Sequence, residues 1–130
     1  MTSLPQRNWS DDQIVECVRH WSLESAKCGL DGHRYNKINF KYFVPCAEML
    51  KTRGPASLAK LLPLLDDESP DVRLTAASIA YVADAVRCRD ILLDLMTAPD
   101  RIGVAAWGSL AALDPENAPK PTELWGDEPS

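Results

Sequence analysis

Apolar residues recur every three or four positions along almost the whole stretch from Ser10 to Leu113, and short segments rich in Pro, Gly and Asp interrupt the pattern. This spacing predicts amphipathic α-helices rather than strands. We expect six helices, at about 10–28, 33–52, 55–65, 70–82, 85–96 and 99–113. The chain is therefore predicted to be all-α, with one helical domain at residues 1–113.

Several residues predict how individual helices begin or bend. Ser10 with Gln13 three residues later has the form of a capping box, and Ser69 before Pro70 has the form of an N-cap followed by an N1 proline. Pro45 lies inside the second helix and is expected to kink or break it near Val44, because proline removes a helix hydrogen bond. Pro63 is expected to tighten or bend the third helix.

An internal repeat is visible at an offset of 29 residues. Pro70-Asp71 aligns with Pro99-Asp100, Ala76-Ala77 with Ala105-Ala106, and Tyr81 with Leu110. Helix pairs that recur at a fixed period are typical of solenoids, in which neighbouring pairs bury a continuous core. With residues 10–52 as a divergent first pair, the repeat predicts an α-α superhelix of about three helical hairpins.

Part of this region resembles a known repeat family. The leucine-rich segment 61–65 leads through Ser-Pro-Asp-Val-Arg-Leu at 69–74 to the alanines at 76–77, and this succession resembles the HEAT repeat. Together with other short segments it is similar to a small bacterial HEAT-like family of unknown function; those segments are 34–36, 50–54 and 112–114.

The resemblance implies a non-enzymatic domain that presents a surface to a protein partner. Some small acidic bacterial proteins of this kind resemble immunity proteins, which neutralise a toxin by covering it, and this inference rests on analogy. The resemblance also implies that Arg73 is structural and pairs with an Asp or a carbonyl between repeats. Asp71 and Asp100 are the candidate carboxylates.

Charge is distributed unevenly along the chain. The net charge is −5 and the pI is about 4.9, which argues against a general nucleic-acid binder. Residues 1–60 hold nine bases and six acids, whereas residues 61–130 hold five bases and thirteen acids. The acidic half is therefore expected to bind a basic protein, most concretely a toxin, and its candidate contact residues are Asp66, Asp67, Glu68, Asp94, Asp100 and Trp125.

An alternative site lies on the second helix, where Arg34, Lys37 and Lys41 share one face. Basic residues with aromatic neighbours can hold phosphates and stack bases, so this face is the candidate for a nucleic-acid-associated module. The aromatic neighbours fall on the apolar stripes and are expected in the core; they are Tyr35, Phe40, Tyr42 and Phe43. A solvated outer face is the simpler interpretation of the three bases.

No sequence motif indicates catalysis: GxSxG, HExxH and Walker patterns are absent. Cys17, His20, Cys28 and His33 would supply four zinc ligands, but their spacing fits no standard zinc finger. Both cysteines lie on an apolar stripe, where free cysteine is commonly buried. We therefore expect core cysteines, no metal, no cofactor and no enzymatic activity.

The helical pattern stops at Asp114, and residues 114–130 are predicted to be an acidic, Pro-rich, extended tail. Leu124 and Trp125 are expected to dock on the core, with a partner-binding motif or no role as the alternatives. The start of the chain lacks the apolar region of a signal peptide, and no segment is apolar over the length of a membrane span. The four irregularly spaced cysteines fit a reduced, cytoplasmic protein.

Overall fold

The computed structural model describes residues 4–29, 31–98, 100–120 and 123. These residues form six helical segments and, within these ranges, no strand. The segments are α1 (Asp11–Ala26), α2 (residues 32–53), α3 (residues 55–66), α4 (Pro70–Ile79), α5 (Ala85–Leu95) and α6 (Asp100–Leu113). The all-α prediction is confirmed, and the helices begin and end within a few residues of the predicted positions.

Two helix starts follow the predicted capping chemistry. At α1, the Gln13 N–H donates to Ser10 Oγ at 3.2 Å and the Ser10 N–H donates to Gln13 Oε1 at 2.7 Å, which completes a capping box. At α4, Ser69 Oγ accepts from the Val72 N–H at 3.4 Å and Pro70 occupies the first turn. Both caps satisfy backbone donors that a helix leaves without partners.

Of the kink or break expected in α2 near Val44, the break does not occur. Helix α2 runs as α-helix over Gly32–Ile38, widens to a π-helix over Asn39–Phe43, and continues as α-helix over Val44–Arg53. The Val44 N–H donates to the Asn39 carbonyl, five residues back, instead of four. A proline in an ordinary α-helix clashes with the carbonyl four residues before it, and the wider turn relieves this conflict just ahead of Pro45.

The π-helical turn also overturns one burial prediction. A wheel drawn at a constant angle per residue places Phe40 on the apolar stripe with Phe43, whereas Phe40 is 70% exposed and Phe43 is buried. A π turn accommodates one residue more than an α turn, so faces assigned by α-helical spacing do not carry across it. Tyr35 and Tyr42 are half-buried.

Helix α3 is α-helical only over Pro55–Leu58 and is a 3₁₀ helix over Ala59–Asp66, with Pro63 inside the 3₁₀ part. The tightening expected from Pro63 is therefore confirmed. Leu61 and Leu65 in this 3₁₀ segment are fully buried. The tighter winding therefore still places leucine side chains in the core.

Helix α4 is central to the fold. It contacts α1, α3, α5 and α6, and seven of its residues are buried: Asp71, Val72, Leu74, Thr75, Ala76, Ala77 and Ile79. The alanines leave room for close approach of neighbouring helices. The main core adds larger side chains from the other segments, including Ile14, Val18, Leu50, Leu92 and Leu110.

The first residues of the predicted tail are bound to the helical domain. The Trp107 indole N–H donates to the Pro119 carbonyl at 2.7 Å, and the Tyr81 hydroxyl donates to the Asp114 carboxylate at 3.0 Å. Ala118 packs against the main core. Residues 114–120 therefore follow the surface of the domain, and Trp125 lies outside the described residues.

No helix in the described part of the chain has the length and apolar character needed to cross a membrane.

Candidate interaction surfaces

The outward side of α5 exposes apolar and acidic residues together. Val86 and Leu93 lie seven positions apart, so they share one side of the helix, and they are 61% and 37% exposed. Asp90 and Asp94 are exposed on the same side, and Val82, in the turn before α5, is 71% exposed. We call these five residues the α5 outer face.

Two of the acids at the start of the acidic half form contacts within the protein. Asp66 is exposed and forms an ion pair with Arg87 at 2.8 Å. Asp67 accepts from the Ser69 N–H at 3.0 Å and from Arg19 Nε at 2.9 Å. These contacts, the Ser69 N–H foremost, lower the pKa of Asp67, so this carboxylate joins α1 to the start of α4.

The other predicted partner-binding residues are less constrained. Glu68 and Asp94 are exposed, and neither carboxylate forms an ion pair within the described ranges. The side chain of Asp100 and the whole of Trp125 lie outside the described residues. Among the predicted contact residues, Asp94 is therefore the one that the fold places on the α5 outer face.

Arg73 binds carbonyls, which are one of the two kinds of partner expected for it. Its Nη1 donates to the Asp67 carbonyl at 2.7 Å and to the Glu68 carbonyl at 3.1 Å, which fastens the turn between α3 and α4. The prediction of Asp71 as its partner is wrong, because Arg101 from α6 occupies that carboxylate at 2.8 Å.

The predicted basic face of α2 borders a shallow concavity. Arg34, Lys37 and Lys41 are exposed and line a space of about 180 Å³ together with Trp21 and Tyr42. The Trp21 and Tyr42 rings stack with their centroids 3.9 Å apart. The structure thus brings the three bases beside aromatic rings, and it adds a Trp from α1 that the sequence pattern did not associate with them.

Two further features affect what this concavity can bind. Glu24 also lines it, and Lys27 forms an ion pair with that carboxylate at 3.0 Å. The Trp21 indole N–H is buried and has no hydrogen-bond partner within the described part of the chain. A buried donor without a partner is costly to the fold, and this N–H is enclosed rather than open to a ligand in the concavity.

A larger concavity, about 440 Å³, is lined by Arg7, Glu48, Met49, Thr52 and Arg53. Arg53 donates to the Asp11 carboxylate at 2.8 Å and to the Arg7 carbonyl at 2.9 Å. Its guanidinium therefore holds the N-terminal segment and α1 against the end of α2. The concavity is accordingly explained by the packing of these segments.

The hypothetical zinc ligands are dispersed. Cys17 belongs to the main core, whereas Cys28 packs in a separate small cluster with Ile38 and Phe43. Among the described residues no group of three or more metal-ligating side chains comes together. All four cysteines are buried and free, so the prediction of core cysteines is confirmed.

Cys17 from α1 and Cys46 from α2 both lie in the main core. Interaction with Cys46 lowers the pKa of Cys17, and interaction with Cys17 together with burial raises the pKa of Cys46. Cys17 also lines a cleft of about 360 Å³ with Trp9, Gln13, Glu16 and His20.

Comparisons of the chain with protein-family models, with curated proteins and with solved structures gave no match.

Proposed function

We propose that this chain is a non-catalytic helical domain that binds another protein through the α5 outer face. The observation that carries the proposal is the exposure of Val86 and Leu93 on one side of α5, with the exposed Val82 in the turn just before that helix. Apolar side chains grouped on a surface and bordered by charged residues are typical of protein contact sites.

The charges on this surface define the kind of partner. Asp90 and Asp94 flank the exposed valine and leucine, and neither carboxylate has an ion pair among the described residues. The half of the chain from residue 61 onwards carries eight more acids than bases. A basic surface with an apolar centre would complement the α5 outer face and would be attracted to it at long range.

The most specific form of the proposal is an immunity protein that covers a basic toxin, built as a HEAT-like superhelix. Support for the repeat architecture comes from α4 and α6. These helices align at the 29-residue offset and contact each other, and each buries an alanine, Ala76 in one and Ala106 in the other. Support for the toxin partner is the acidic charge, because sites that bind anionic substrates are basic.

The test compares how tightly two variants and the wild type bind a captured protein partner. The Val86→Ser/Leu93→Ser double variant removes the apolar centre of the α5 outer face. The Lys37→Ser/Lys41→Ser double variant removes two positive charges from α2 and serves as the matched control. A basic partner should bind the wild type and the α2 variant equally and the α5 variant at least about tenfold more weakly, as expected for central apolar contacts.

Expression of the captured partner in cells distinguishes an immunity protein from a general protein-binding domain. An immunity protein requires that the partner alone arrests growth and that co-expression of the wild type, but not of the α5 variant, restores it. Growth unaffected by the partner would exclude a toxin and leave a binding domain. Equal capture by the wild type and both variants would contradict the proposed surface.

A second candidate function is nucleic-acid binding at the α2 concavity, which the grouping of three bases beside stacked aromatic rings favours. Arg34, Lys37 and Lys41 would contact phosphates there, and the Phe40 ring, exposed on the same helix, would stack on a base. Fluorescence anisotropy of a labelled single-stranded oligonucleotide tests this function. Binding should weaken steeply with added salt and disappear in the Lys37→Ser/Lys41→Ser variant; the absence of binding at low salt would exclude it.

A further inference from the structure

Helix α2 exposes apolar and basic residues side by side. Phe40 and Val44 are 70% and 39% exposed. Lys37 and Lys41 are exposed as well, and both border the α2 concavity. Residues four positions apart lie about one turn apart across the wide turn, so the two apolar side chains adjoin each other and so do the two lysines. We call these four residues the α2 outer face.

The charge of the α2 outer face is available to a partner. Neither Lys37 nor Lys41 forms an ion pair within the described ranges, and Arg34, exposed about one turn earlier, adds a third positive charge there. Glu48, four positions beyond the face, is the first exposed acid that follows it on α2. The face is therefore apolar and positive.

The α5 outer face combines the same kinds of residue with the opposite charge. Asp90 lies between the exposed Val86 and Leu93, and Asp94 follows directly. At 1.5 Å per residue, the stretch from Val86 to Asp94 rises about 12 Å and the α2 outer face rises about 10 Å. The two faces therefore match in length and in apolar character and are opposite in sign.

We propose that the α2 outer face of one copy of this chain binds the α5 outer face of a second copy. Phe40 and Val44 of one copy cover the apolar centre of the other copy's α5 outer face, and the lysines meet the aspartates. Opposite charges attract the two faces, whereas like charges disfavour the contact of either face with its own kind. The inference rests on the proposed binding role of the α5 outer face and names a partner for it.

Within one chain the two faces do not pair with each other. Helix α2 packs on α1, α1 packs on α4, and α4 packs on α5. In the described part of the chain no ion pair joins either lysine of the α2 outer face to Asp90 or Asp94. Each copy therefore presents both faces to other copies, which allows a reciprocal dimer or a longer head-to-tail assembly.

Exchange of the charges tests this contact in the folded full-length chain. The Lys37→Glu/Lys41→Glu variant makes the α2 outer face acidic, and the Asp90→Lys/Asp94→Lys variant makes the α5 outer face basic. Each variant alone then carries like charges on both faces and should need at least about tenfold more protein to associate than the wild type does. An equimolar mixture of the two variants should associate, because each supplies the face that the other lacks.

Sedimentation velocity measures the average mass as the protein concentration rises. Salt of about 0.15 M is suitable, because it screens the repulsion between two acidic molecules beyond about 8 Å. The wild-type mass should rise above that of the monomer below about 1 mM, the range of weak interfaces. Phe40→Ser changes no charge and should weaken the association. Lys60→Glu/Lys120→Glu, at exposed lysines outside both faces, matches the charge change of the α2 variant and should associate as the wild type does.

Three results would overturn the proposal. They are a wild-type mass that stays monomeric up to about 1 mM, charge-exchange variants that associate alone as well as the wild type, and a mixture of the two that stays monomeric. Circular dichroism checks that each variant is folded. If a charge-exchange variant does not fold, the wild-type concentration series and Phe40→Ser decide the outcome.

The test also distinguishes this contact from the binding of a foreign partner. The Lys37→Glu/Lys41→Glu variant keeps the α5 outer face and should still capture a basic protein. Capture of such a protein by a wild type that stays monomeric would overturn self-association alone. Self-association without capture of any foreign protein would overturn the proposed foreign partner alone.

Discussion

The guanidinium of Arg101 lies 2.8 Å from the carboxylate of Asp71, which joins the first turn of α6 to the first turn of α4. The same guanidinium lies 5.1 Å from the centre of the Tyr35 ring on α2 and donates to the Ser25 carbonyl of α1 at 3.4 Å. One side chain thus contacts three other helices. It also connects the two helices that the sequence repeat aligns.

Loss of this ion pair should destabilise the fold. We expect Asp71→Ala to lower the free energy of unfolding by about 2–3 kcal/mol, because it leaves a largely buried guanidinium without its carboxylate. Arg101 Nη1 already lacks a hydrogen-bond partner among the described residues, so little compensation is available. Urea unfolding followed by circular dichroism measures the change.

The matched control is the Asp71→Ala/Arg101→Met double variant. Removing both charges leaves no buried charge without its partner. The double variant should therefore be about 1–2 kcal/mol more stable than the summed losses of Asp71→Ala and Arg101→Met measured singly would predict. Strict additivity would show that the pair does not couple α4 to α6.

Gly103 and Gly108 lie in the same helix and should respond oppositely to alanine. A Cβ on Gly103 would meet the Ala98 carbonyl oxygen in a severe overlap and the Met96 carbonyl oxygen at 2.9 Å, and both are backbone atoms that cannot move cheaply. Gly103→Ala should therefore lower the free energy of unfolding by about 2 kcal/mol or more. A Cβ on Gly108 meets nothing, so Gly108→Ala should raise it by roughly 0.5–1 kcal/mol, since alanine favours helix. Thermal unfolding of the two variants checks both signs.

Acid should destabilise the protein below about pH 4. Hydrogen bonds and ion pairs lower the pKa values of Asp11, Asp67 and Asp114 in the folded state, led by contacts from Arg53, the Ser69 N–H and Asn117 respectively. A lowered folded pKa gives stability that is complete above the unfolded pKa and is lost as the pH falls through the folded pKa. Urea midpoints should be nearly constant from about pH 7 to 5 and should fall below about pH 4.

Asp67→Asn tests the origin of this acid sensitivity. The variant lacks the charge that binds Arg19, so it should be less stable than the wild type at neutral pH. The difference should shrink as the pH falls from about 4 towards the lowered pKa of Asp67 in the folded state, because the wild type loses the stability that this charge provides over that range. A constant difference at all pH values would show that packing, rather than charge, explains the loss.

The sequence was most informative where structure depends on neighbouring residues. The Ser10–Gln13 box and the Ser69 cap involve residues three apart, so their bonds could be predicted from residue type and spacing alone. The same holds for the six helices and for the burial of the cysteines, because apolar periodicity directly reports which side of a helix faces the core.

Prediction failed where distant segments decide the outcome. The choice of Arg101 over Arg73 as the partner of Asp71 depends on how helices are placed against one another, which spacing does not encode. Phe40 was misplaced for a different reason: the wheel assumed a uniform helix, and the π-helical turn is not uniform.

The wide turn at Asn39–Phe43 sets the facing of every later residue of α2. Because this turn accommodates one extra residue, deleting one residue there would leave Cys46 and Leu50 facing the core. The same deletion would return Pro45 to an ordinary α-helical turn, in which its ring clashes with the carbonyl four residues before it. A deletion within one of the α-helical parts of α2 would instead rotate the residues beyond it by about 100°.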